Sequence, residues 1–213
     1  MKEGKIPPEL LKSLVFNNIK VRNEEVILRP EIGEDCAAID FGSHACVLST
    51  DPITGAVKNA GALAIHISCN DVAASGVRPV GIMITILAPP EAAEGDIRRV
   101  MEEAGEAASK LGVEIIGGHT EVTSAVNRIV ISTTALGKVR KDRIVRSSGA
   151  KAGDDVIMTK WAGLEGTSII ASDKGKELEA FLTPEEIESA RSFIDYISVV
   201  EEGVAAGEFG ASS

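Results

Sequence analysis

The chain is poor in aromatic residues and in cysteines, and both shortages limit what it can be. Only 3% of its 213 residues are aromatic, so the core must rest on aliphatic side chains. Its three cysteines, Cys36, Cys46 and Cys69, form no Cys-x-x-Cys pair. An odd number of cysteines in a chain without a signal peptide is typical of reduced thiols, which predicts a cytoplasmic protein.

Positive charge and long apolar runs are also scarce. Acidic residues outnumber basic ones by 32 to 22, which gives a net charge of −10. Such a surface repels a phosphate backbone, so nucleic-acid binding is not expected, but a nucleotide neutralised by a metal ion remains compatible with it. The longest apolar run, at 80–88, is too short to cross a bilayer, and residues 1–8 are too polar for a secretory signal. We therefore expect no membrane partner.

Familiar catalytic motifs are missing as well. The sequence contains no Walker A motif and no G-x-G-x-x-G, G-x-S-x-G or H-E-x-x-H. The three histidines, His44, His66 and His119, are too scattered for a histidine zinc site. The function must therefore be inferred from other residues.

The pattern of apolar and turn residues predicts an α/β fold. The predicted helices open at Pro7-Pro8, cover 61–75 and 96–111, and follow Thr183, and the predicted strands are at 26–28, 36–39, 45–49, 80–87, 113–116, 129–134 and 155–159. Basic and small residues over 138–153 are typical of a connector. We place that connector at 141–153, between domains at 1–140 and 154–213.

Four short acidic or amide-bearing clusters stand out, at 32–35, 49–52, 68–71 and 117–121. Each lies at an end of an apolar stretch or inside one, where an α/β fold directs side chains into a shared crevice. Carboxylates gathered in a crevice repel each other unless a cation joins them, and Mg²⁺ prefers a few carboxylates together with phosphate oxygens. The clusters therefore predict a site for Mg²⁺ and a polyphosphate.

Taken singly, each cluster also has a structural interpretation. Asp35 and Asp51 could each support a turn, and the pair at 117–118 could form a plain glycine turn. Asn70 and Asp71 are different, because an unpaired Asp inside an apolar helix is costly. His66, one helical turn before Asn70, is interpreted as a core or supporting residue and not as a ligand.

Together the clusters resemble a known family. Segments 32–40, 50–55, 70–79 and 117–122 resemble the aminoimidazole ribonucleotide synthetase (PurM-like) superfamily, which includes the hydrogenase maturation protein HypE, selenophosphate synthetase and thiamine-monophosphate kinase. The likeness is strongest to the HypE-like, AIR synthase related branch, through 4–9, 51–56 and 117–123. The resemblance covers nearly the whole chain.

The resemblance implies a fold, cofactors and site residues. It implies an N-terminal α/β (α+β) domain whose mixed sheet forms a barrel on homodimerisation, followed by a second α/β domain that is truncated here, with about 60 residues after the connector. It implies ATP and Mg²⁺ as cofactors. Carried over by position, it implies metal contacts at Asp35, Asp51 and Asp71, catalytic roles for Asp35 and Asp71, and nucleotide contacts at Asn70, Gly117, Gly118, His119 and Thr120.

One position departs from the family pattern. Some members carry Asp or Glu where this chain has His119. An imidazole replaces a carboxylate on Mg²⁺ poorly. Two alternatives follow: His119 contacts phosphate, or Glu121 takes over the metal role.

The resemblance implies an ATP- and Mg²⁺-dependent phosphoryl-transfer enzyme, a synthetase, dehydratase or kinase that activates a carbonyl- or carboxamide-type oxygen, as in hydrogenase maturation. The alternatives are a nucleotide-binding scaffold or maturation partner with little turnover, an activity like that of selenophosphate synthetase or thiamine-monophosphate kinase, and a magnesium-dependent phosphoesterase. We also expect a protein partner in metallocentre maturation. A homodimer is predicted because the runs at 80–87 and 129–134 leave few charges to protect an exposed sheet edge.

Overall fold

The computed structural model of the protein describes residue 2 and residues 4–213. Its main elements, in chain order, are α1 Pro8–Leu14, β1 Val26–Leu28, β2 Ala37–Phe41, β3 His44–Ile53, α2 Ala60–Ala74, β4 Pro79–Ala88, α3 Glu94–Leu111, β5 Glu114–Val122, β6 Val130–Arg140, α4 Leu164–Asp173, α5 Gly175–Leu178, α6 Pro184–Arg191 and α7 Val200–Phe209. Short 3₁₀ turns lie at Phe16–Asn18, Lys141–Arg143 and Ser192–Tyr196.

The six strands form one mixed sheet in the order β1-β2-β3-β6-β4-β5. All neighbouring pairs are antiparallel except β4 and β5, which run parallel. Parallel neighbours need a long crossover connection, and α3 provides it here. The α/β class and the mixed sheet are therefore as predicted.

Helix α2 packs across the centre of this sheet. On the sheet side, the Thr133 hydroxyl of β6 donates to the Ala64 carbonyl oxygen at 2.8 Å. On the other side, α3 approaches so closely at Gly61 that a Cβ atom there would overlap the Val100 carbonyl oxygen. The helix ends where predicted, at Gly76, which has a φ of +75°. This packing fixes where Asn70 and Asp71 lie.

Most predicted elements are present with small shifts of their ends. These include the helices at 61–75 and 96–111, the hairpin at 36–49 and the strands at 26–28, 80–87 and 129–134. The capping box after Thr183 is also present: the Glu186 amide donates to the Thr183 hydroxyl at 3.2 Å, and the Thr183 amide donates to a Glu186 carboxylate oxygen at 2.8 Å.

Two regions differ from the predictions. Strand β5 continues past residue 116 to Val122, so Gly117 and Gly118 lie inside a strand and form no turn. Close pairing explains the second glycine, because a Cβ at Gly118 would overlap the Ile84 carbonyl oxygen of β4. The strand predicted at 155–159 is wrong: Val156 and Ile157 are 99% and 84% exposed, and no neighbouring strand pairs with their backbone in the described chain.

Helix α7, which the sequence did not predict, packs against α2. Gly203 lies so close to α2 that a Cβ there would overlap the Ala73 carbonyl oxygen. Ile197 and Val200 belong to the same buried core as the sheet. The division into domains at 141–153 stays a prediction. No helix among the described residues is long and apolar enough to cross a membrane.

Candidate functional site

Three of the four acidic clusters meet beside α2. Burial alternates along β3, which places Val47, Ser49 and Ile53 on the face that α2 covers. Asp51 lies on the same face because it is two residues from both Ser49 and Ile53. Asp71 lies on α2 opposite this row and contacts the Asp51 side chain. Asp35 ends the loop that leads into β2. The structure thus brings Asp35, Asp51 and Asp71 into one region, and their binding of a metal stays a prediction.

Hydrogen bonds tie these three segments together. The Ser49 hydroxyl lies 2.9 Å from Oδ2 of Asp71 and 3.0 Å from the carbonyl oxygen of Asp35. The Cys36 thiol donates to the Asp71 carbonyl oxygen at 3.2 Å. Burial raises the pKa of this thiol to about 11, so it stays protonated and can act as the donor.

The surroundings of the Asp71 carboxyl disfavour its ionised form. Burial raises its pKa to about 7, and contact with Asp51 together with the charges of Asp51 and Asp35 acts in the same direction, while the Ser49 hydrogen bond opposes it. A bound cation would reverse this effect, because it favours the ionised carboxylates. The oxygen donors of Asp51 and Asp71 therefore fit a hard divalent ion such as Mg²⁺.

These residues fit a metal site in which phosphate or water completes the ligand set. They do not form a site closed by protein ligands alone. In the part of the chain that the structure describes, no three His, Cys, Asp or Glu side chains lie close enough together to hold a metal ion. Mg²⁺ usually binds through one or two carboxylates plus phosphate and water oxygens. Asp51 and Asp71, with Asp35 nearby, could supply the protein share of such a set.

Asp35 and Asp71 line a cavity of about 260 Å³. Arg146 and Ser147, from the segment predicted to be a connector, also line it. The Ser147 hydroxyl donates to a Glu34 carboxylate oxygen at 2.9 Å. Arg146 and Ser147 were not predicted as site residues. Ser49 was part of the cluster at 49–52, but no role was predicted for it.

The Asn70 amide does not reach the aspartates. Its nitrogen donates to the Ile197 carbonyl oxygen at 2.8 Å, and its oxygen accepts from the Val199 amide at 2.8 Å. Successive helical residues point about 100° apart, so Asn70 faces α7 while Asp71 faces β3. In this structure Asn70 holds the segment that leads into α7. The nucleotide contact predicted for it stays a prediction.

The fourth cluster, at 117–121, lies on β5, away from the other three clusters. The strand registers align Gly118 with Ile84, Thr133 and Asp51, three strand spacings or about 14 Å across the sheet. His119 and Glu121 point to the opposite face of the sheet, because neighbouring strand residues alternate. They contact each other at 3.1 Å. Within one chain, Glu121 therefore cannot join Asp51 and Asp71 on a single ion.

The cluster at 117–121 is also exposed to solvent. Strand β5 has β4 as its one neighbour and forms an edge of the sheet, and residues 116–122 are all exposed. Gly117, Gly118, His119 and Thr120 thus lie on a free edge and do not line the cavity beside Asp71.

Comparison with known proteins identifies the fold family. The model of the AIR synthase related protein, N-terminal domain, matches residues 33–139. A Methanocaldococcus jannaschii protein that carries the provisional name hydrogenase expression/formation protein is 26% identical over 206 residues, covering 94% of this chain and 61% of its own. Carbamoyl dehydratase HypE of Cupriavidus necator is 27% identical over 155 residues, covering 69% of this chain and 44% of its own. The chain thus spans less than two thirds of either relative.

Solved structures show the same fold. The structure of AaThiL complexed with AMPPCP and TMP superposes with a TM-score of 0.75 at 19% identity, over 97% of this chain and 66% of its own. The structure of hydrogenase maturation protein HypE in complex with ATP superposes with a TM-score of 0.56 at 25% identity, over 81% of this chain and 52% of its own.

Proposed function

The chain belongs to the family of AIR synthase related proteins, and from this premise we propose that it is an ATP- and Mg²⁺-dependent phosphoryl-transfer enzyme. Its acceptor would be a carbonyl- or carboxamide-type oxygen. The contact between Asp51 and Asp71, beside the loop that carries Asp35, is the observation that carries the proposal. The names of the relatives support it, since one is a carbamoyl dehydratase and a related structure contains ATP.

The residues of the chain would act by binding and orienting the nucleotide. When bound, Mg²⁺ would supply positive charge to the phosphates and to the two carboxylates. Asp51 and Asp71 would hold the ion, with Asp35 next to it. Arg146, which lines the same cavity, would present its positive charge to the phosphates. Asp35 and Asp71, which line this cavity, would have the catalytic roles predicted for them.

The proposed reaction needs no covalent intermediate on the protein. The acceptor oxygen forms a bond to the γ-phosphorus of ATP, and the bond from that phosphorus to the bridging oxygen breaks, which releases ADP. Such transfers depend mainly on alignment and on neutralising charge. The half-buried carboxylate pair can provide the alignment, and the cation that it would hold would supply the neutralising charge.

A homodimer is part of the proposal. The sheet face opposite α2 exposes large apolar side chains, including Phe41 at 69% and Met83 at 47%. The free edge at β5 adds Ile116 and Val122, which are 49% and 61% exposed. Because one chain keeps residues 117–121 away from its own aspartates, their proposed contacts with phosphate or metal require a second copy. A partner protein in metallocentre maturation remains a proposal drawn from the names of the relatives.

A nucleotide-binding scaffold with little turnover is the second candidate. It is favoured by the distance between Glu121 and the aspartate pair, because a single chain then offers the ion few protein ligands. Such a scaffold would bind ATP without releasing ADP.

Measurement of ADP release separates these candidates. The protein is mixed with ATP and Mg²⁺ and given a carbamoyl-bearing acceptor, thiamine monophosphate or no acceptor. We expect ADP release that requires Mg²⁺ and is stimulated by the carbamoyl acceptor. Stimulation by thiamine monophosphate alone would indicate a kinase of that type, binding without ADP release would support the scaffold, and no ATP binding would refute both.

A further inference from the structure

The Ser49 hydroxyl lies at the junction of the three segments that form the candidate site. Its side chain is buried, with 4% of the residue exposed. The oxygen is 2.9 Å from Oδ2 of Asp71 on α2 and 3.0 Å from the Asp35 carbonyl oxygen. One hydroxyl on β3 therefore contacts two segments that each carry a predicted metal ligand.

This position matters because Asp51 and Asp71 are like charges in contact. Without a restraint, two adjacent carboxylates turn away from each other. A hydrogen bond from Ser49 fixes the orientation of the Asp71 carboxylate, and charge-assisted hydrogen bonds of this kind are stronger than neutral ones. The Asp35 carbonyl oxygen, at 3.0 Å, shares the single hydroxyl proton with Asp71, so Ser49 holds the loop and α2 together. The Cys36 thiol adds a second tie between that loop and α2.

We propose that Ser49 is a positioning residue that sets the relative geometry of Asp35 and Asp71 for a divalent cation. The inference rests on the proposed function, because it assumes that the aspartates bind a metal–nucleotide complex. Ser49 acts through the two aspartates and through no contact with the nucleotide.

A purely structural role is the alternative, and the chain offers a matched control for it. Ser68 on α2 is also buried, with its residue 0% exposed, and its hydroxyl lies 2.8 Å from the Thr133 hydroxyl. Substituting Ser68 by Ala removes a buried hydroxyl and its hydrogen bond to Thr133, which is not a hydrogen bond to either aspartate. A structural loss would be common to both serines, and a positioning effect would appear at Ser49 alone.

The test compares two dissociation constants for each variant of the full chain. One is measured by calorimetry for the complex of Mg²⁺ with a non-hydrolysable ATP analogue, and the other for the same analogue in EDTA. Their ratio is the gain in affinity due to the metal. We expect Ser49→Ala to lower this gain about tenfold, the size of one hydrogen bond to a charged group, and to leave the affinity in EDTA within about twofold.

The remaining variants complete the test. Ser68→Ala should leave the gain within about twofold of the wild type. Ser49→Thr, which keeps the hydroxyl, should restore most of it, and Ser49→Cys, which keeps the volume but donates weakly, should lose it as alanine does. If Ser49→Ala does not fold, Ser49→Cys decides.

Each outcome has a distinct meaning. A wild-type gain in both Ser49→Ala and Ser49→Cys would overturn the positioning role while leaving the proposed function intact. An equal loss in Ser49→Ala and Ser68→Ala would overturn it too. No metal-dependent gain in the wild type would overturn the proposed function, and this inference with it.

Discussion

Asp51 of β3 and Asp71 of α2 lie in side-chain contact, and this pair of like charges is the centre of the candidate site. The sheet register and the packing of α2 hold the pair in place, because the Thr133 hydroxyl joins β6 to the Ala64 carbonyl oxygen of the same helix. Burial and repulsion make the pair costly without a cation. Such a cost is expected at a site that binds one.

The first prediction concerns the Asp71 charge. Asp71→Asn should lower the affinity for the Mg²⁺–nucleotide complex at least about tenfold, because it removes one of the proposed carboxylate ligands. The melting temperature without ligand should stay the same or rise, because the buried repulsion is relieved. Calorimetry and thermal melting measure the two effects. Asp40→Asn is the control, since Asp40 pairs with Lys141 at 2.7 Å outside the site. Unchanged Mg²⁺-dependent binding in Asp71→Asn would refute the assignment.

The second prediction concerns the hydrogen bonds of Asn70. Asn70→Ala should lower the free energy of unfolding by about 1–3 kcal/mol, because it leaves the Val199 amide and the Ile197 carbonyl oxygen without their partner. Denaturant unfolding measures this loss, and the exposed Asn127→Ala is the control.

The only tryptophan shows whether that loss is local. Trp161 stacks with Phe193 and meets Tyr196 edge-on, with ring centroids 6.4 and 5.9 Å away. In Asn70→Ala its fluorescence should change at lower denaturant than the far-ultraviolet circular dichroism. Full stability with lost nucleotide binding would instead support the nucleotide contact that the sequence predicted for Asn70.

A third prediction tests the contact between α2 and α3. Gly61→Ala should destabilise the protein by about 1–3 kcal/mol, because the new methyl group would overlap the Val100 carbonyl oxygen. Gly105→Ala is the matched control on α3, where nothing lies within 4 Å of a new Cβ, and it should stabilise by up to about 1 kcal/mol. Denaturant unfolding measures both. Equal effects of the two variants would contradict the described helix crossing.

A fourth prediction follows from His66. Burial lowers its pKa from 6.5 to about 4, with Lys110 and Lys160 acting in the same direction and Asp195 opposing them. Its Nδ1 atom is buried and has no hydrogen-bond partner among the described residues. Between pH 6.5 and 4 the unfolded chain binds the proton more readily, so this contribution to stability is complete above pH 6.5 and is lost as the pH falls.

His66→Gln tests this dependence. The difference in unfolding free energy between wild type and variant should shrink when the pH is lowered from 7 to 5. His119→Gln, at a residue on the exposed edge strand, serves as the control for general effects of losing a histidine. A difference that is constant from pH 7 to pH 5 would show that His66 is not buried in the neutral form.

The fifth prediction concerns the homodimer. Light scattering should give twice the mass of the 22.3 kDa chain, and Met83→Lys should shift it toward the monomer, because Met83 lies on the exposed apolar sheet face. Phe181→Lys is the control, since Phe181 is 83% exposed in the C-terminal segment. A wild-type monomer would contradict the predicted assembly.

The sequence was sufficient for elements whose signal is local. The periodic apolar positions and the glycine at 112 predicted α3, and Pro184 and Glu186 after Thr183 predicted the capping box of α6. The segment at 155–159 shows the limit. A β-branched run becomes a strand only when another strand pairs with it, and none of the described strands does.

The residues of the candidate site could be predicted from the sequence better than their arrangement in space. The costly placement of Asp71 in an apolar helix indicated a function, and that residue lies at the site. The separate roles of Asn70 and Asp71 depend on which elements pack against each side of α2, which no local pattern shows. The position of Glu121 depends on the alternation of β5 and on the strand order of the sheet, and both emerge only from the folded chain.

The most direct test is to locate a bound metal. Crystals of the protein grown with Mn²⁺ and a non-hydrolysable ATP analogue would reveal the ion by its anomalous scattering. We expect one ion ligated by carboxylate oxygens of Asp51 and Asp71, at distances near the roughly 2.1 Å that Mg²⁺ requires, and in contact with nucleotide phosphate. An ion bound to the nucleotide at another place, with Asp51 and Asp71 free of it, would contradict the account.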